Sequence, residues 1–79
     1  MTTEITLSYP VEADGETITS ITLRRPTFGD AERFSKEKDK MKSAVLMITT
    51  LGNVSPDAVR ALDIEDFAAV SEAVEGFFP

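Results

Sequence analysis

Apolar and polar residues change rhythm once along this chain, and the change divides it in two. Glu4-Ile5-Thr6-Leu7-Ser8-Tyr9 alternates, and so do Thr19, Ile21 and Leu23 with Ser20, Thr22 and Arg24. A period of two with β-branched residues predicts half-buried strands. Ala13-Asp14-Gly15-Glu16 lies between the two runs, and Asp-Gly is a strong hairpin turn because glycine accepts positive φ readily. Ile18 and Ile21 differ in parity and cannot share one face of a regular strand, so a bulge near Thr19-Ser20 is expected. Pro26 ends the second strand, since it has no N–H for a ladder.

Beyond Pro26 the rhythm is helical. Thr27-Phe28-Gly29-Asp30 fits a capping box, and a helix is predicted from about Phe28 to Glu37 with Phe28, Ala31 and Phe34 as its apolar stripe. Ser35 to Lys40 has mixed charge and no apolar residue, which suits an exposed helix end or a solvated connection. Met41, Ala44, Val45, Ile48 and Leu51 then mark one face of a second helix, Met41 to Leu51, closed by Gly52-Asn53. Ser55-Pro56 starts a short third helix reaching Leu62. Asp63 caps a fourth, with Glu65 and Asp66 in its first turn and Ile64, Phe67, Ala68, Ser71, Val74 and Phe78 in helical register. Val70 and Phe77 widen that stripe, and Gly76 weakens its last turn. The expected fold is a single α+β domain over residues 1–79, an N-terminal β-hairpin (1–25) packed on three or four short helices (26–79). Ile21 and Leu23 face the helices, covered by Val45, Ile48, Phe67, Val70 and Val74.

Seventy-nine residues give a small core. No Cys and no His are present, which removes disulfides, the commonest metal ligands and the usual general base. Neither a cofactor nor a metal is expected, and catalysis is not expected. The acids at Asp30, Glu32, Asp63 and Asp66 read as helix-start residues. No run nears the roughly 20 apolar residues of a membrane span, and Met1-Thr2-Thr3-Glu4 does not resemble a signal peptide. A soluble intracellular protein is expected. The net charge of −6 is uneven: residues 24–42 hold seven bases and four acids, whereas residues 43–79 hold one base and six acids. A local basic stretch in an acidic chain is a poor match for nucleic acid.

The apolar surface is in excess of what the main stripes need. Leu46 and Met47 lie off the main face of the second helix, and Phe77 and Phe78 lie near the end of the sequence. They serve either a core buried on two sides or a surface for a partner helix. As a functional reading, Leu46, Met47, Phe77 and Phe78 are the candidate partner-binding residues.

The order of these segments resembles the small tail assembly chaperones of contractile-tailed bacteriophages and prophages, the E-like tail proteins. The resemblance rests on Asp14-Gly15, on Leu23-Arg24-Arg25-Pro26-Thr27-Phe28-Gly29-Asp30, on Ile48-Thr49-Thr50-Leu51-Gly52-Asn53-Val54, and on Ser55 through Phe67. It covers nearly the whole chain. One departure is Leu51-Gly52-Asn53-Val54, where the family pattern ends Thr-Gly-Leu. The resemblance implies a non-enzymatic factor that binds the long helical tape measure protein and keeps it soluble in the host cytoplasm during tail assembly. It also implies absence from the mature virion, and a frameshifted longer form or self-association is compatible with it. Two other readings of the residues stay open. One is a small acidic regulator or inhibitor of a nucleic-acid-binding protein; the other is a helix-turn-helix module using Arg33 to Lys42.

Overall fold

The computed structural model describes residues 2–79. Strands β1 (Thr2–Ala13) and β2 (Glu16–Arg24) form an antiparallel hairpin, followed by helices α1 (Phe28–Ser35), α2 (Lys40–Gly52), α3 (Pro56–Ala61) and α4 (Ile64–Glu75). The α+β architecture expected from the sequence is the one observed. Asp14 and Gly15 both take positive φ, 55° and 77°, the two-residue turn whose twist matches paired strands.

The ladder pairs Ile5 with Ile21 and Thr3 with Leu23, breaks between Thr6 and Val11, and resumes with Val11 opposite Ile18. The break lies opposite Thr19, where parity requires one. The four residues Leu7 to Pro10 of β1 face the single Thr19 of β2, so the extra residues lie in β1 and not in β2. Pro10 has no N–H to give, so pairing fails most cheaply there.

A two-stranded sheet is marginal alone, and the helices cover one face of it. α2 packs on β2, while α3 and α4 pack on β1. The centre holds Leu7, Ile21, Leu23, Phe34, Ile48, Leu51, Val59, Val70 and Val74, all nearly inaccessible to water. Ile21, Leu23, Ile48, Val70 and Val74 are therefore core residues as expected. Val45 and Phe67, also expected to cover the hairpin, are half-buried and pack against the core.

Three helix starts are capped by the residues their sequence suggests. Thr27 accepts from the Asp30 N–H, Ser55 from Ala58, and Asp63 from Glu65. Asp39 caps α2, one residue earlier than the apolar stripe indicated. α1 stops at Ser35 and not at Glu37, because the charged stretch after it buries nothing that would hold a further turn. At the other end of α2, Asn53 takes the left-handed cap at φ 51°. Gly52 serves a different need: a Cβ there would lie 2.9 Å from Ile21 Cγ2, so glycine lets α2 approach the hairpin.

Two expected faces need correction. Phe28, assigned to the α1 stripe, is 80% exposed, and Ile64, assigned to the α4 stripe, is 73% exposed. At about 100° per residue, positions six apart fall about 120° out of phase. Phe28 therefore cannot share a face with Phe34, nor Ile64 with Val70. The buried line of α4 runs through Asp66, Val70 and Val74, with Ala68 exposed. A carboxylate at the head of that line conceals it from a hydrophobicity pattern.

Candidate functional site

Asp30 and Asp66 occupy the same position, the third residue of their helices, and do different work. Asp30 completes the capping box by accepting from the Thr27 N–H at 2.9 Å, and it pairs with Arg24 at 2.7 Å. The Arg24 hydrogen bond first, then that of the Thr27 backbone, hold its carboxyl well below the usual carboxylate range. The same pair raises the pKa of the Arg24 guanidinium. This contact fixes the strand-to-helix junction.

Asp66 reaches out of its own helix. It is 3% exposed and accepts the backbone N–H groups of Ser8 and Tyr9, each at 2.9 Å. Those amides belong to the β1 bulge and have lost their ladder partners. One carboxylate thus satisfies two donors that would otherwise be stranded. Ser55 ties the other end of the hairpin: its hydroxyl donates to the Asp14 carboxylate at 2.6 Å while capping α3. Sequence reasoning took Asp66 for a dipole residue. The signal available was Pro10, which cannot donate to a ladder and lies where the pairing of β1 breaks.

The four residues singled out for partner binding are all half-buried and pack against the core. Met47 borders a small hollow of about 40 Å³ with Ala44, Ser71 and Val74. Phe78 meets Phe34 edge to face, with centroids 6.4 Å apart. Phe77 lies under the Arg25 guanidinium, 5.5 Å from the ring centroid. Leu46 packs on the core from α2. These contacts assign each of the four a place in the fold and leave a partial surface on each.

The open apolar surface lies elsewhere. A groove of about 310 Å³ runs between the start of α2, the end of α3 and the start of α4. Met41, Val45, Val59, Leu62, Ile64 and Phe67 form its apolar walls, and Lys42 and Arg60 are its charged lining residues. Met41 is 65% exposed. The pattern missed this groove because it treated Met41, Val45, Ile64 and Phe67 as core. A second hollow of about 360 Å³ beside the hairpin turn is polar, lined by residues such as Asp14, Thr17, Ser20 and Asn53. No group of three or more acids, His or Cys converges on a possible metal position among the described residues. No helix among them is long and apolar enough to cross a membrane.

The described residues thus form a small hairpin-and-helix domain with an open apolar groove. Residues 4–79 match the family model described as phage tail assembly chaperone proteins, E, or 41 or 14, and the chain belongs to that family. No curated protein and no solved structure matches it.

Proposed function

We propose that this chain binds the tape measure protein and keeps it soluble while the tail assembles around it. Membership of the tail assembly chaperone family supports the general role. The observation that carries the specific reading is the groove between α2, α3 and α4, whose apolar walls include Met41 and Ile64 in largely exposed positions. A long helical protein without its tube presents apolar stripes that self-associate. An apolar groove on a chain of net charge −6 covers such a stripe and adds repulsion between the complexes. The action is binding without catalysis, in the host cell cytoplasm, and the chain is absent from the mature virion.

The groove presents more open apolar surface than the set Leu46, Met47, Phe77 and Phe78, so the reading seats the partner there. Co-expression with the cognate tape measure protein tests it. The tape measure protein is expected in the soluble fraction and in complex with this chain. Ile64→Glu or Met41→Glu is expected to return it to the pellet while circular dichroism shows a folded domain. A tape measure protein that stays insoluble with the wild-type chain would overturn the reading. Rescue lost only with Met47→Glu or Phe77→Ser, in variants that remain folded, would move the surface to that second set.

A further inference from the structure

The groove carries a charge signature that specifies its occupant more closely. Lys42 and Arg60 are its charged lining residues, and both are cations in a chain with an excess of acids. Both are exposed, and neither has an ion-pair partner among the described residues; the observed pairs join Arg24 and Arg33 to Asp30. Around them, α2 also departs from the other helices. α1, α3 and α4 each have an acid in the first turn, whereas the first turn of α2 has none and holds Lys40 and Lys42. Cations at that end oppose the helix dipole, which Asp39 at the cap only partly offsets. A carboxylate placed against this edge would relieve both features at once.

Resting on the reading above, we infer that the groove takes an amphipathic helix of the tape measure protein whose apolar face is edged by carboxylates. The apolar residues at i, i+3 or i+4, and i+7 enter between Met41, Val45, Ile64 and Phe67. The flanking Asp or Glu residues meet Lys42 on one wall and Arg60 on the other. The groove, about 310 Å³, is open to water. Apolar walls hold such water poorly, so the anchors gain by displacing it. The two cations then set which helices enter and in which direction, because rim charges govern encounter and register more than total affinity. A second copy of this chain is a poorer occupant: the start of α4 carries Asp63 and Glu65 beside the exposed Ile64, but the apolar residues that would continue its stripe, Val70 and Val74, are buried in the core.

Overlapping synthetic peptides covering the cognate tape measure protein, titrated into the labelled full chain and followed by NMR, test this. The peptides that bind are expected to be those with carboxylates flanking an apolar stripe, and the shifts are expected at Val45, Ile64 and Phe67. Lys42→Glu with Arg60→Glu is expected to weaken binding of the acid-flanked peptides about tenfold and to reverse its salt dependence, so that added salt strengthens it. Replacing the flanking acids of the peptide by Lys is expected to restore binding to that doubly reversed chain. Equal binding of acid-flanked and Lys-flanked peptides to the wild type would overturn the inference and leave the tape-measure reading intact. Shifts confined to the Met47 and Phe77 side would do the same. Dimerisation of the free chain through the groove, abolished by Ile64→Glu, would replace the inference by self-association. If neither the peptides nor the full-length tape measure protein binds, both the inference and the reading it rests on fall.

Discussion

The two long helices of this domain are each closed at one end and open at the other. In α2, Ile48 and Leu51 are inaccessible, while Met41 is 65% exposed; in α4, Val70 and Val74 are inaccessible, while Ile64 is 73% exposed. The closed ends lie under the hairpin, and the open ends face one another across the groove. The contrast does not follow from hydrophobicity, because both ends are apolar. It follows from what covers them. The hairpin covers the C-terminal half of α2, where Gly52 lies beneath Ile21, and the Asp66–Val70–Val74 face of α4, where the Asp66 carboxylate holds the Ser8 and Tyr9 amides; it leaves Met41 and Ile64 uncovered. One end of the helix pair is therefore packed into the core, and the other stays open, where the proposed partner would seat.

The largest effects on stability are expected at the closed end. Leu23→Ala and Ile21→Ala each remove side chains that are almost wholly buried, and each is expected to cost about 2–5 kcal/mol. At roughly 4–8 °C per kcal/mol for a domain of this size, thermal melts would show it clearly. Ile64→Ala at the open end is expected to stay within about 0.5 kcal/mol of the parent. Equal losses at the two ends would erase the distinction between them.

Next in size are the two devices that hold the hairpin down. Asp66→Ala strands two backbone amides and is expected to cost about 1–3 kcal/mol, with faster hydrogen exchange at Ser8 and Tyr9. Asp66→Asn retains one acceptor oxygen and is expected to restore only part of the loss. Gly52→Ala sharpens the comparison because the usual sign reverses. Alanine ordinarily favours a helix, yet here its Cβ meets a branched, buried isoleucine at 2.9 Å, so a loss of about 1–3 kcal/mol is expected. Gly29→Ala, where the nearest side-chain atom is 3.8 Å away, is expected to leave the melting temperature unchanged or slightly raised.

The Arg24–Asp30 pair gives a smaller, pH-dependent effect. The folded-state pKa of Asp30 lies below its ordinary value of 3.8, so its contribution is present at neutral pH. That contribution is lost as the pH falls from about 4 toward the depressed folded value. Because Arg24 is nearly half exposed, the effect is screened by salt. Acid denaturation of Asp30→Asn is expected to lack this component of the wild-type slope. An identical slope below pH 4 would show that the pair adds nothing to stability.

Much of this fold is legible in the residues. The Asp14-Gly15 turn, the caps at Thr27, Ser55 and Asp63, and the order of strands and helices all follow from local chemistry. The family is likewise readable from the segment order. The two ends of the helix pair are harder to read, for two reasons. A helical pattern identifies apolar positions but not what covers them, so Met41, in phase with the buried Ile48, looks like core, as does Ile64, which lies off the buried Val70–Val74 face. The residue at the head of the α4 buried line is also a carboxylate, and its partners are backbone amides 57 and 58 positions away. No local pattern contains that pairing.

The central claim is that the open ends of α2 and α4 form the partner surface. Pull-down of the cognate tape measure protein by wild-type, Ile64→Glu and Met47→Glu chains, each first shown to be folded, tests it most directly. The account predicts capture by the wild type and by Met47→Glu, with capture lost for Ile64→Glu. Capture by Ile64→Glu at the wild-type level would contradict it.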